Sequence, residues 1–133
     1  MQLLQESARL ASIRVLAKDL NGLDLLVLFG SRGRGDDLSH SDWDFAFLAT
    51  GSLDVGRLRA ELSLILETDR VDLVNLNRVG GLLRYRVAKD GVAVFESRDG
   101  IFASFWYEAV RFYYDAQPVL EASYDTILAR LDR

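Results

Sequence analysis

The sequence contains no cysteine, one histidine and one proline in 133 residues. Without thiols there is no disulfide framework, no thiolate zinc site, no iron–sulfur cluster and no cysteine nucleophile. A single imidazole, His40, argues against Ser-His-Asp catalysis and against multi-histidine metal sites, which leaves carboxylates as the expected metal ligands. The near absence of proline, beside 50% hydrophobic and 27% charged residues, excludes a disordered or Pro-rich linker chain. A basic surplus is missing too: 16 Lys and Arg against 20 Asp and Glu give a net charge of −4. The chain as a whole therefore lacks the footprint of a nucleic-acid binder, and any anion must be held locally. There is no uninterrupted apolar run of about 18 residues and no basic segment leading into an apolar one at the N-terminus. The expected setting is cytoplasmic, with no membrane partner.

One domain over residues 1–133 is expected from the length. Leu3, Leu4, Ala8, Ile13, Leu16, Ala17 and Leu20 form a helical stripe over about 3–20, closed by Asn21-Gly22. Leu23 to Phe29 is short and almost wholly apolar, which predicts a buried strand. Further strands are expected over Asp42 to Ala49, Val71 to Leu76 and Val92 to Glu96. Val55, Leu58, Leu62, Ile65 and Leu66 mark a helix between the second and third strands, and residues 78–89 a short one carrying Arg84 and Arg86. From Ile101 the pattern is helical to about Ala116, with a break or kink expected at Pro118 and renewed helix to Leu131. Strands interleaved with helices over one core predict an α+β (mixed α/β) fold. Its small mixed β-sheet would lie within a core of about 23–96, flanked by helices and followed by a long helical C-terminal segment over about 101–131.

The sharpest feature is Gly30-Ser31, then ten residues, then Asp42-Trp43-Asp44. In a strand, Asp42 and Asp44 project from one face about 6 to 7 Å apart while Trp43 points to the other. Two such carboxylates repel unless a cation lies between them, and oxygen-only ligands suit Mg²⁺, which completes its shell with phosphate oxygens and water. The glycine-rich turn before them supplies what a triphosphate needs: Gly30 for close backbone approach, the Ser31 hydroxyl and N–H, and the charges of Arg32 and Arg34. Asp72 adds a third acid. It is flanked by apolar residues, where an unpaired carboxylate is costly to bury, and it converges on the others if its strand lies beside theirs. Three acids then serve as catalytic residues and as ligands of two metal ions.

The run Leu28-Phe29-Gly30-Ser31-Arg32-Gly33-Arg34-Gly35, followed by Ser41-Asp42-Trp43-Asp44 and Val71-Asp72-Leu73, resembles the DNA polymerase β-type nucleotidyltransferase superfamily. It is more closely similar to the minimal nucleotidyltransferases (MNT, MntA type) that act as antitoxins to HEPN-domain toxins. The likeness spans residues 23 to about 96. It implies a polymerase β-like sheet, nucleotide binding by Gly30, Ser31, Arg32 and Arg34, and metal binding and catalysis by Asp42, Asp44 and Asp72. The implied activity is Mg²⁺-dependent transfer of AMP from ATP to a tyrosine hydroxyl of a cognate HEPN toxin, which neutralises it. Two alternatives remain beside it: neutralisation by tight binding and occlusion without catalysis, and nucleotidylation of a small aminoglycoside-like molecule. The modest length leaves little room for a separate acceptor domain, which favours an acceptor carried by a partner protein. Trp43 and Gly33 depart from the family's usual aliphatic residue and alanine, and neither departure removes a ligand.

Other polar residues have simpler readings. Asp36, Asp37 and His40 are expected to be solvated loop residues, and Ser41 a turn residue at the strand entry. Arg84 and Arg86 fit a nucleotide, a partner or an exposed helix side equally well. Half of the chain's 14 aromatic residues fall between Phe102 and Tyr114. Helical spacing assigns Phe102, Phe105, Trp106 and Phe112 to the core, while seven aromatics exceed what one helix face buries and leave some for a protein–protein patch.

Overall fold

A computed structural model describes residues 2–35 and 42–131, with side chains described over 6–35 and 42–116. Asp36, Asp37, His40 and Ser41 lie outside the described residues. In chain order the elements are α1 (Gln2–Lys18), β1 (Leu23–Phe29), α2 (Gly30–Arg34), β2 (Trp43–Ala49), α3 (Val55–Leu66), β3 (Val71–Asn75), α4 (Gly81–Asp90), β4 (Val92–Glu96) and α5 (Ile101–Leu131). The four strands form one sheet in the order β3-β2-β1-β4. β1 runs antiparallel to β2 and β4, whereas β2 and β3 are parallel and joined through α3. This is the expected mixed α+β sheet flanked by helices.

Alternation along the strands builds a core on each face of the sheet. On one face Leu26, Leu28, Trp43, Phe45, Phe47 and Val71 pack with Ile13 and Ala17 of α1 and Leu58, Leu62 and Leu66 of α3. On the other, Leu25, Val27 and Ala46 pack with Val87 and Ala88 of α4 and Phe105 and Ala109 of α5. The central strands β1 and β2 are covered on both sides, which accounts for their nearly continuous apolar sequence. Asp54 caps α3 by accepting the Arg57 N–H at 3.0 Å.

The glycine-rich turn after β1 is a turn of helix: Gly30–Arg34 forms the short helix α2, closed by Gly35 at φ +80, whose N–H donates to the Ser31 carbonyl. Two expectations are corrected. Pro118 does not divide the C-terminal segment, because α5 is one helix of 31 residues and the single lost donor leaves the rest of the ladder in place. Trp106 and Phe112 are exposed, at 45% and 51%, rather than core. The strip of α5 that meets the sheet is narrow and is filled by Phe105 and Ala109. Trp106 is turned about 100° away by one residue of helix, and Phe112 lies beyond the sheet, over Gly81 of α4.

Candidate active site

Strand directions bring the C-terminal end of β1 and the N-terminal ends of β2 and β3 to one end of the sheet. Phe29, the last residue of β1, is the cross-strand partner of Asp44, and Asp44 is in turn the register partner of Asp72 in the parallel strand β3. Adjacent strands lie about 4.8 Å apart, so the two carboxylates are immediate neighbours. Asp42 stands one residue before β2 and is exposed. The start of β3 is pinned from two sides: the Trp43 N–H donates to the Arg70 carbonyl at 2.9 Å, and Arg59 of α3 donates to the Val71 carbonyl. These bonds hold Asp72 level with Asp44.

Asp72 is exposed, which overturns the expectation of a buried acid. Val71 is buried while Asp72, the next residue of β3, is exposed, so the alternation of this strand marks one covered face and one open face that carries the acid. Asp44 is the half-buried member. Its carboxyl is raised above the ordinary 3.8 by burial first, then by the charges of Asp72 and Asp42 and by a side-chain hydrogen bond shared with Asp72. Two carboxylates this close repel, and a divalent cation between them would reverse that repulsion. The donor set fits Mg²⁺ on this observation. Among the described residues no three or more His, Cys, Asp or Glu side chains form a metal-binding group. An ion at this end would therefore draw further ligands from phosphate oxygens and water, as Mg²⁺ ordinarily does.

Gly30 closes the site from the β1 side. It sits at φ +69, and a Cβ there would run into the Asp44 carboxylate. Only a glycine lets the turn after β1 lie directly on the acid. Ser31 follows, half-buried in the first turn of α2. The structure thus brings Gly30, Asp44 and Asp72 together, with Ser31 and Asp42 flanking them.

The two arginines of α2 are engaged elsewhere in the fold. The Arg32 guanidinium lies over the Trp43 ring, 3.9 Å from its centroid, on the sheet face opposite Asp44. Arg34 pairs with Asp90 at the end of α4, at 3.3 Å and with nearly half of its side chain exposed. Arg84 donates to the Leu76 carbonyl and lies 5.0 Å over the Phe105 ring, which makes it a brace between β3, α4 and α5. Arg86 is exposed beside Leu82 and Leu83. Sequence reasoning missed Asp90 as the partner of Arg34 and Trp43 as the seat of Arg32. The first joins residues distant along the chain, and the second depends on which face of β2 the Arg32 side chain takes, which spacing does not signal.

The family profile "Polymerase beta, Nucleotidyltransferase" matches residues 12–100. The chain is 33% identical over 107 residues to the protein adenylyltransferase MntA of Aphanizomenon flos-aquae, covering 71% of this chain and 70% of the relative. It is 31% identical over 122 residues to the protein adenylyltransferase MntA of Shewanella oneidensis, covering 88% and 85%. Among solved structures, a toxin–antitoxin with AMP-PNP superposes with a TM-score of 0.71 at 26% identity, covering 91% of this chain and 97% of the other. An MNT antitoxin in complex with a tri-AMPylated HEPN toxin from Shewanella oneidensis gives 0.67 at 28%, covering 96% and 99%. Among the described residues no helix is long and apolar enough to cross a membrane.

Proposed function

Since the chain belongs to the polymerase beta nucleotidyltransferase family, alongside the MntA protein adenylyltransferases, we propose that it is an antitoxin enzyme that neutralises a cognate HEPN-type toxin by transferring AMP from ATP to a tyrosine hydroxyl of that toxin. The reaction is placed in the cytoplasm, where ATP is supplied. The observation that carries the reading is the Asp44–Asp72 register pair, with Gly30 lying directly against the Asp44 carboxylate. Asp44 and Asp72 would hold Mg²⁺, with Asp42 flanking them as the proposed third ligand, and two ions are proposed. Bound there, the metal neutralises charge developing on the phosphate oxygens and acidifies the acceptor hydroxyl.

The chain's own residues supply the rest. Gly30 admits the triphosphate backbone-close, Ser31 donates from its hydroxyl and N–H, and Arg32 and Arg34 lend α2 the positive charge that the acidic chain otherwise lacks. The acceptor oxygen attacks the α-phosphorus as the bond to the bridging oxygen breaks. Pyrophosphate leaves with that electron pair, and the phenolic proton passes to the Asp72 side of the site. The exposure of Asp72 fits this role, because its carboxylate faces an arriving protein substrate while Asp44 is held behind it.

Isotope placement tests the reading. With the cognate toxin and Mg²⁺, label at the α-phosphate of ATP is expected to appear on the toxin, and label at the γ-phosphate is not. Toxin that is neutralised without acquiring α-label would favour occlusion and overturn transfer.

A further inference from the structure

The phosphate turn and the start of β2 are separated by the ten residues between Ser31 and Asp42, and they touch at two points on opposite faces of β2. On the acid face Gly30 lies against the Asp44 carboxylate. On the other, the Arg32 guanidinium carbon sits 3.9 Å from the centre of the Trp43 ring. Trp43 is an unyielding platform: it is 4% exposed, its ring lies 6.3 Å from that of Phe45 at an interplanar angle of 9°, and its N–H is held by the Arg70 carbonyl. An aliphatic residue would fill the same core but would offer no π face to a cation.

Sequence adjacency gives this contact its consequence. Arg32 follows Ser31, and Trp43 separates Asp42 from Asp44. Fixing the guanidinium on the indole therefore fixes the serine relative to both carboxylates. The contact lies on the far side of the sheet from the acids, so it shapes the site without occupying it.

We propose that Trp43 is a positioning residue that, by seating Arg32, sets the Ser31 turn at the depth against Asp42 and Asp44 at which a triphosphate binds. This rests on the nucleotidyltransferase reading and adds to it a determinant of ATP affinity. Loss of the contact raises KM for ATP more than it lowers kcat, because the carboxylates keep their places in the sheet.

A double-mutant cycle tests the proposal, using Arg32→Met and Trp43→Leu. Its readouts are affinity for a non-hydrolysable ATP analogue with Mg²⁺ and, separately, KM and kcat of toxin labelling. The Trp43→Leu single variant should lose about threefold to thirtyfold in analogue affinity, the range of a cation–π contact expressed as a binding ratio. In the Arg32→Met background the same change should cost almost nothing further. Trp43→Phe, which retains a ring, should recover most of the affinity that Trp43→Leu loses. If Trp43→Leu does not fold, Trp43→Met, which fills the same core without a ring, completes the cycle, and the effect of Arg32→Met must then be smaller than in the native chain. Additive losses, or an Arg32→Met effect of the same size with Trp and with the ringless residue at position 43, overturn the proposal: Trp43 is then core filling and Arg32 acts alone. A native chain that binds no analogue overturns the nucleotidyltransferase reading and this proposal with it. Binding with an additive cycle overturns this proposal only.

Discussion

On one face of β2, Trp43 is enclosed with Leu28, Phe45 and Val71. One residue later, on the opposite face, Asp44 is half-buried beside two further carboxylates, and its acidity is weakened first by that burial and then by their charges. The same backbone thus places a well-satisfied group and a poorly satisfied one within a single peptide unit. Burial on the Trp43 face supplies stability, and that lets the Asp44 face keep like charges close together in the absence of a cation. A strand is suited to this division because its side chains alternate, so a core and a site are built from one stretch without competing for space.

The contrast can be broken first where the stabilising face is strongest. Trp43→Ala should cost about 3–5 kcal/mol, read as a fall of roughly 10 °C or more in Tm. A Tm within a few degrees of the native value would mean that the buried face carries little of the fold. Asp44→Asn should do the reverse, lowering AMP transfer by about 10²–10³-fold while leaving Tm at pH 7 unchanged or higher. The sign follows from linkage. Because the folded carboxyl is raised above 3.8, the folded state holds its proton more tightly than the unfolded chain, so stability declines as pH rises from that value through the folded pKa. Asparagine removes that decline, and acid-range melts of the two proteins should show it. A lower Tm for Asp44→Asn at pH 7 would contradict the view that this face is electrostatically strained.

Smaller effects sharpen the boundary between the faces. Gly30→Ala puts a Cβ into the Asp44 carboxylate and forces a non-glycine residue to φ +69, a backbone cost of about 1–2 kcal/mol. It should weaken ATP binding more than it lowers Tm, as titration with an ATP analogue would show. Arg34→Gln loses a half-exposed ion pair with Asp90, worth less than about 1 kcal/mol to stability. Its melting curve should nearly overlay that of the native chain, and a large drop would show that α2 depends on this pair more than its exposure implies.

Most of the architecture was legible because it rests on periodicity. The apolar run of β1, the stripe of α3 and the alternation of β2 and β3 each predict the element that forms. Where the reading erred, the missing information was three-dimensional. Asp72 sits among apolar neighbours in sequence, but whether its face of β3 is covered depends on what packs against that face, and it is open. The helix α2 is five residues long and contains two glycines, so no periodic signal exists for it to be read from. Trp106 and Phe112 carry helical spacing that suits a core, and only the crossing of α5 over α4, with Tyr113 stacked on Tyr85 at 3.8 Å, shows which side faces inward. The acids and the glycine-serine turn were recognisable as a set, whereas the seating of Arg32 on Trp43 depends on which face each side chain takes.

The central claim is that the strained acid face transfers AMP to a toxin protein. Intact-mass measurement of the cognate toxin, after incubation with ATP, Mg²⁺ and either the native chain or the Asp42→Asn/Asp44→Asn variant, addresses it most directly. The account predicts that the native chain adds whole AMP units to the toxin and that the variant adds none and fails to neutralise it. A toxin that is neutralised equally by both proteins, with its mass unchanged, would contradict it.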